Sequence, residues 1–324
     1  MDGKINYSII IPHKNIPELL QRCLDSIPRR EDVQIIVVDD NSDPDKMDFE
    51  HFPGLGDPFV EVVFTKEGKG AGYARNVGLT KATGKWLLFA DADDFYNNCA
   101  NDIFNDYIDL NEDIIYFKHN SLYSDTYKKA YRNNKYNTYI DYWLCSKKKC
   151  DYLLKYKITN VVGKIFNNDF IRNNKITFDE VSISDDVTFM YLAGFYANFI
   201  QADSRILYCE TIRQNSITYS RKTIEKKLDK IYVRGKCYRF FMSHDIPFPH
   251  KMVFKNFLTE FYFFNRSSFG KAKEILLGLG FSSEEIIRLI ICNIIFYIPQ
   301  KIIVKLFSQN NFLLILYLKF KHIY

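Results

Sequence analysis

The chain has 324 residues, 47% hydrophobic and 26% charged, an ordinary globular composition that suits one large α/β domain plus a smaller appendage and excludes a disordered or fibrous protein. Its net charge of +5 hides an asymmetry, because residues 221–324 carry 18 Lys and Arg against 7 Asp and Glu, whereas residues 1–220 carry 26 against 32. The seven cysteines are odd in number and scattered without CxxC or zinc spacing, and the first residues run into a strand without a signal-peptide apolar stretch, so a reduced, cytoplasmic protein is expected.

Short β-branched runs at 7–11, 35–38, 60–64, 86–90 and 113–117, each bounded by Pro, Gly, Asp or Asn, alternate with amphipathic runs. This is the pattern of βαβ units around a mostly parallel, Rossmann-like sheet. Residues 18–27 place Leu19, Leu20, Cys23, Leu24 and Ile27 at helical spacing, and a second helix at 73–82 stops at Gly84. The Tyr-, Asn- and Lys-rich stretch 118–160 predicts little beyond a helix around 140–154. A helix opening on two acids follows at 185–195, then a strand at 206–209.

Beyond residue 220 the chain turns helical and basic. The apolar run 286–298 is interrupted by Arg288 and Asn293 and stops at Pro299, short of the ~18 uninterrupted residues of a spanning helix. Runs at 302–307 and 312–320 are interleaved with Lys301, Lys305, Lys319 and Lys321. The expected organisation is an α/β domain at 1–220 and a basic helical region at 221–324 that lies on an anionic membrane surface, peripheral on its inner face. Those apolar runs suit a bilayer better than nucleic acid, which is not expected as a partner.

In open α/β sheets ligands bind beyond the carboxyl ends of the strands. Here those ends are acidic: Asp39-Asp40-Asn41-Ser42-Asp43 follows the second strand and Asp91-Ala92-Asp93-Asp94 the fourth. Two carboxylates flanking one residue can face a shared Mg²⁺ or Mn²⁺ together with diphosphate oxygens, and such a cation offsets charge on a leaving diphosphate. The same residues also serve as turn formers or helix caps. The six histidines form no HExxH, and no GxxxxGK[ST] loop exists. Gly68-Lys69-Gly70-Ala71-Gly72 lacks dinucleotide-fold spacing and reads as a turn that passes close to a ligand, or as a flexible loop.

Five ordered blocks carry more information than any one of them: Ile9-Ile10-Ile11-Pro12-His13-Lys14-Asn15, Cys23-Leu24-Asp25-Ser26-Ile27, Ile35-Ile36-Val37-Val38-Asp39-Asp40-Asn41-Ser42-Asp43, Ala74-Arg75-Asn76-Val77-Gly78-Leu79 with Ala82-Thr83-Gly84-Lys85-Trp86, and the Asp91 turn. Together they resemble the nucleotide-binding half of family-2, GT-A fold glycosyltransferases, densely over 7–96 and more sparsely to about 220. The resemblance implies that Pro12 lines the base pocket, Asp39 hydrogen-bonds the nucleobase, Arg75, Asp91 and Ala92 belong to the nucleotide-sugar site, and Asp93 holds the metal. Where the family often has a tyrosine two residues before the asparagine, His13 and Lys14 stand instead, which bears on base stacking and nucleotide identity.

Asp185-Asp186-Val187-Thr188-Phe189 resembles the family's EDxxF block, which makes Asp186 the general base of an inverting transfer and Asp185 its support. The same acids would serve as caps of a helix N-terminus. Val161 to Ile171 resembles a WxKxFxxxFL segment, with Lys164 near diphosphate or acceptor or simply on the surface, and Arg213 opens an RxxxSxT-like stretch that could contact phosphate. The implied activity is transfer of a sugar from a nucleotide-diphosphate donor, a UDP-sugar, to a hydroxyl of a glycan or lipid-linked acceptor, with Mn²⁺ or Mg²⁺. A nucleotidyltransferase would carry a glycine-rich loop where Pro12-His13-Lys14-Asn15 stands, and a non-catalytic scaffold would not need Asp39, Asp91, Asp93 and Asp186 together.

Overall fold

The computed structural model describes residues 4–146, 151–213, 223–246 and 257–297. The chain forms two compact units, Met1–Ser220 and Arg221–Tyr324.

In the first unit, β1 (Tyr7–His13), β2 (Val33–Asp40), β3 (Val60–Thr65) and β4 (Trp86–Phe89) pair in parallel in the order β3-β2-β1-β4. β1 buries all seven of its side chains, as a central strand covered on both faces must, and this is why it reads as a continuous apolar run. Pro12 interrupts no ladder. β4 ends its pairing at Phe89 opposite Ile10, so the missing proline N–H falls beyond its neighbour. The crossovers are α1 (Pro17–Asp25), which opens on a proline and buries Leu20, Cys23 and Leu24, and α2 (Ala71–Lys81), which turns Gly72, Ala74, Arg75 and Gly78 inward.

The rest of the sheet corrects the mostly parallel expectation. After the short β5 (Phe95–Tyr96) come α3 (Ala100–Tyr107), β6 (Ile114–Tyr123), β7 (Lys129–Ala130), α4 (Asn134–Ser146), α5 (Asp151–Lys157), β8 (Lys164–Asn167), α6 (Asn168–Asn173), α7 (Asp186–Tyr196) and β9 (Ile200–Ile212). The path continues β4-β8-β6-β9-β5 with β7 on β6, and β8 runs antiparallel to both β4 and β6. Among the described residues the sheet is therefore mixed. A four-residue strand such as β8 has too short a pattern to reveal its direction, which comes from the strands on either side. The helix expected around 140–154 is divided between α4 and α5, and 147–150 lies outside the described residues.

The core positions the acidic loops. Phe89 on β4 packs against Phe178 and Phe189 with ring centroids 5.1 and 5.5 Å away, and Phe178 stacks on Phe189 at 4.2 Å. Each such aromatic pair adds roughly 0.5–1.5 kcal/mol beyond its buried area. The cluster holds the start of α7 beside the end of β4.

The second unit contains α8 (Ile224–Ser243), α9 (Phe257–Phe264), α10 (Arg266–Gly278) and α11 (Ser283–Tyr297). Thr223 caps α8 by accepting from the Lys226 N–H, and Asn265 caps α10 by accepting from the Ser268 N–H. Ile231, Leu258, Phe261, Leu276 and Phe281 form its core with Ile286, Leu289 and Ile290 of α11. The first turns of the apolar run thus face their own unit at helical spacing, while Ile287 remains 53% exposed. No helix among the described residues is long and apolar enough to cross a membrane. The lysine-flanked runs 302–307 and 312–320 lie outside the described residues.

Candidate active site

The turn after β4 and the start of α7 are joined by one cation. Arg75, on the inner face of α2, is 5% exposed. Its Nη2 donates to Asp91 and its Nη1 to Asp185, and the guanidinium lies over the Phe178 ring at 5.4 Å. A buried guanidinium requires compensation by carboxylates, and here the Asp91 turn and the Asp185-Asp186 pair supply one each. The resemblance puts Arg75 in the nucleotide-sugar site; its Nη1 and Nη2 engage the protein's own acids, while its buried Nε has no hydrogen-bond partner. Gly72 makes room for this: a Cβ there would stand 2.1 Å from the Asp179 carbonyl oxygen and 2.9 Å from the Asp185 Cβ.

Asp185 occupies the cap position of α7 but makes no capping hydrogen bond, so capping is not what its side chain does. Asp186 follows in the first turn and remains partly exposed. Burial, then the Asp185 charge, push its carboxyl up to about 7 against the pull of Arg75. A carboxylate poised there can take a proton near neutral pH.

Beyond Asp91 the acids continue. The Asp93 carboxylate accepts from Arg213 Nε at 2.7 Å, and its carbonyl accepts from Thr211 Oγ1 at 2.6 Å and from Arg22 Nη2 at 2.5 Å. Asp94 is buried and accepts from the Thr211 N–H at 2.6 Å. Burial raises Asp94 well above the usual carboxylate range, with Asp93 and Asp91 adding to it. Asp91 rises too, through burial first, with Arg75 opposing and Asp93 and Asp185 adding. Five acids, Asp91, Asp93, Asp94, Asp185 and Asp186, thus stand against three arginines, Arg75, Arg213 and Arg22, in contact with this group.

That imbalance tests the metal. Among the described residues no group of three His, Cys, Asp or Glu makes a ready cage. Mg²⁺ and Mn²⁺ at nucleotide sites usually take one or two carboxylates plus phosphate oxygens, and Asp93 with Asp91 fits that donor set. Ala92 between them is buried at 3%.

On the β1–β2 side, Asp39 is 1% exposed and uses both oxygens internally. Oδ1 accepts from His13 Nδ1 at 2.8 Å and from Ser42 Oγ at 2.5 Å, and Oδ2 accepts from the Ser42 N–H at 2.8 Å. Burial works against the ion, yet these hydrogen bonds hold its carboxyl below the ordinary value. His13 Nε2 accepts from the Ile16 N–H at 3.2 Å, which assigns the ring proton to Nδ1. Beside them, Phe52 meets His13 edge-on at 5.2 Å, and Phe64 and Phe49, 45% and 38% exposed, continue an aromatic surface. Asp40 holds the glycine-rich turn by accepting from the Gly70 N–H at 3.0 Å, where Gly70 has φ +97°.

Sequence reasoning misplaced one residue and missed others. Lys164 is 1% exposed, neither a surface lysine nor free to meet a ligand: Nζ donates to the carbonyls of Asn160 at 2.6 Å and Val162 at 3.1 Å. Burial pulls it down to about 7 against Glu210 and Asp186. Arg22, Thr211 and Glu210 carried no motif. Arg22 is one helical turn from Glu18 in an amphipathic helix, and only the fold brings it to the Asp93 carbonyl.

The family model for glycosyl transferase family 2 matches residues 8–170. A PGL/p-HBAD biosynthesis glycosyltransferase of Mycobacterium tuberculosis (strain H37Rv) is 38% identical over 92 residues, which are 27% of this chain and 35% of that protein. A poly(ribitol-phosphate) beta-glucosyltransferase of Bacillus spizizenii is 34% identical over 98 residues, 29% of this chain and 16% of that one. The chain thus spans only about a third or less of the length of these relatives. Among solved structures, S. aureus TarS 1–349 in complex with UDP-GlcNAc superposes with a TM-score of 0.61 at 20% identity, covering 90% of this chain and 85% of that one. The mannosyltransferase PcManGT of Pyrobaculum calidifontis, in complex with GDP-Man and Mn²⁺, gives 0.54 at 14% identity, covering 93% and 82%. These likenesses show a shared GT-A fold. With the family model covering half its length, the chain belongs to glycosyl transferase family 2.

Proposed function

We propose that the protein transfers a sugar from a nucleotide-diphosphate donor, a UDP-sugar, to a hydroxyl of a glycan or lipid-linked acceptor in surface polysaccharide synthesis, with inversion at the anomeric carbon. The observation that carries this reading is the Arg75 bridge, which joins the Asp91 turn to the Asp185-Asp186 pair and so brings donor-side and acceptor-side carboxylates into one site. UDP-GlcNAc in the TarS complex and the name of the Bacillus relative support the donor and acceptor classes.

In this reading the acceptor oxygen bonds to the anomeric carbon as the bond from that carbon to the diphosphate oxygen breaks. The acceptor proton passes to the Asp186 carboxylate, and the electron pair leaves with the nucleoside diphosphate. Asp185 and Arg75 fix the position of Asp186, and Pro12, Asp39 and the neighbouring aromatic surface frame the base. A Mn²⁺ or Mg²⁺ held by Asp93 and Asp91 would supply charge compensation for the leaving diphosphate; Mn²⁺ in the PcManGT complex supports that choice. The 221–324 region, with Lys301, Lys305, Lys319 and Lys321, would lie on an anionic membrane surface on the cytoplasmic side.

Asp186→Asn tests the chemistry. It should preserve fold and donor-induced thermal stabilisation while transfer falls ~10²–10⁴-fold, the usual loss on removing a positioned acid–base group. Near-normal transfer at saturating donor would exclude Asp186 as the base.

A further inference from the structure

The backbone of the turn after β4 is held from behind. The Asp94 N–H donates to the Asp91 carbonyl at 3.0 Å, which closes the turn, and the Asp91 N–H donates to Tyr208 Oη at 2.8 Å. The Asp93 carbonyl takes two side-chain donors, Thr211 Oγ1 and Arg22 Nη2. Arg22 brings a full charge to that carbonyl, and a hydrogen bond from an ionised donor is roughly twice as strong as a neutral one.

Arg22 is itself fixed. It stands in the last turn of α1, its guanidinium 5.4 Å from the Phe95 ring centroid and 5.9 Å from that of Tyr127. Nη1 donates to Ser124 Oγ at 3.2 Å and to Tyr127 Oη at 3.4 Å, in the turn between β6 and β7. That turn is tied down in its own right, because the Ser124 N–H donates to the Ile212 carbonyl at 2.9 Å. The planar fork of a guanidinium reaches the turn and the carbonyl together, which the compact ammonium of a lysine does not.

We infer that Arg22 is a positioning residue for cation binding: by pinning the Asp93 carbonyl it fixes the direction in which the Asp93 carboxylate leaves the backbone, and so keeps that carboxylate aimed at the ion. The inference rests on the reading of Asp93 as a metal ligand. Charge and positioning act here with opposite signs. Arg22 is a cation beside a cation site, so its charge alone opposes the ion, and its removal on that ground would tighten binding. Loss of a group that orients a metal ligand instead weakens affinity, typically ~10–100-fold. A brace that merely joined α1 to the β6–β7 turn would change stability and leave affinity alone.

The test is Mn²⁺ binding to the full-length chain, alone and with UDP, followed by electron paramagnetic resonance beside thermal unfolding of the same samples. Arg22→Met keeps an unbranched stem and should weaken Mn²⁺ binding about tenfold or more. Arg22→Lys keeps the charge without the fork and should recover only part of that loss. Thr211→Val removes the other donor to the same carbonyl while retaining the Thr211 N–H on Asp94, so it should weaken binding in the same direction, and with Arg22→Lys it carries the test where Arg22→Met does not fold. Affinity in folded Arg22→Met equal to or tighter than that of the unmodified chain overturns the inference, as does unchanged affinity in both Arg22→Lys and Thr211→Val. Failure of the unmodified chain to bind Mn²⁺ even with UDP instead removes the metal reading, and this inference falls with it.

Discussion

Arg75→Met removes the cation between Asp91 and Asp185 while keeping an unbranched stem against Phe178. Taking away one partner of a buried ion pair costs about 3–5 kcal/mol, because the remaining charge is left uncompensated. Asp91, 42% exposed, can recover water, whereas Asp185 at 15% and the 6%-exposed Arg75 side chain lie largely out of reach of solvent. The expected loss is therefore at the low end, about 3 kcal/mol at pH 8. Its pH dependence has a definite sign. Asp186 is raised by burial and Asp185, Asp91 by burial and Asp93, and Arg75 opposes both shifts, so its removal raises both further. A carboxyl whose folded pKa exceeds its ordinary value of 3.8 binds more protons folded than unfolded. Stability is then greatest below the ordinary value and is lost as pH rises through the folded one, which for Asp186 is already about 7. Between 3.8 and about 7 parent and variant lose this stability alike, so the variant should approach the parent near pH 5 and fall behind it as pH rises above 7. Urea unfolding followed by tryptophan fluorescence reads this directly, because Trp86 and Trp143, the two tryptophans, both lie in the first unit. An equal loss at both pH values, or a shift under about 1 kcal/mol accompanied by weakened nucleotide binding, would refute the clamp and return Arg75 to direct donor binding.

The remaining expectations concern chemistry and the second unit. The acidic limb of kcat/KM for transfer should lie near pH 7, where Asp186 titrates, and Asp185→Asn should move it to lower pH by removing the adjacent charge; a limb near 3.8 in the unmodified protein would exclude a raised base. Arg213→Met frees the Asp93 carboxylate, so Mn²⁺ binding to the nucleotide-free protein, followed by electron paramagnetic resonance, should tighten. Unchanged affinity would show that Asp93 is not a ligand. Phe261→Ala, at a position 2% exposed, should destabilise the second unit by about 3–5 kcal/mol in thermal unfolding, and a shift below ~1 kcal/mol would show that its core is not where the helices place it.

The comparison between chain and fold divides along the range of the interactions. Residues 7–11, 35–38 and 86–90 were legible as strands because a parallel strand buried on both faces needs an unbroken apolar run; β1 and β2 contain the first two, and β4 takes Trp86–Phe89 of the third. The helix at 185–195 was legible from its apolar run behind two acids, and α7 spans Asp186–Tyr196. The acidic strand ends could be read for the same reason, since charge directly after an apolar run marks where the chain leaves the sheet. Composition and periodicity are properties of neighbours in sequence, and they reach no further.

Neighbouring residues thus specify the alternation of strands and helices in the first half, the acidic turns at their ends, and the family whose motifs they spell. Packing of the whole chain brings distant groups together. It set β8 antiparallel between β4 and β6, and it placed Lys164 in the interior with its charge on backbone carbonyls. It turned Ile286, Leu289 and Ile290 into the core of their own unit. Arg75 and Asp185 are 110 residues apart, and Asp93 and Arg213 are 120 apart. No local pattern encodes such pairs, because an isolated arginine reads the same whether it faces water, a phosphate or two buried carboxylates. The pKa of Asp186 belongs to this second class, since burial and the company of Asp185 and Arg75 set it, and those exist only once α2, β4 and α7 have packed together.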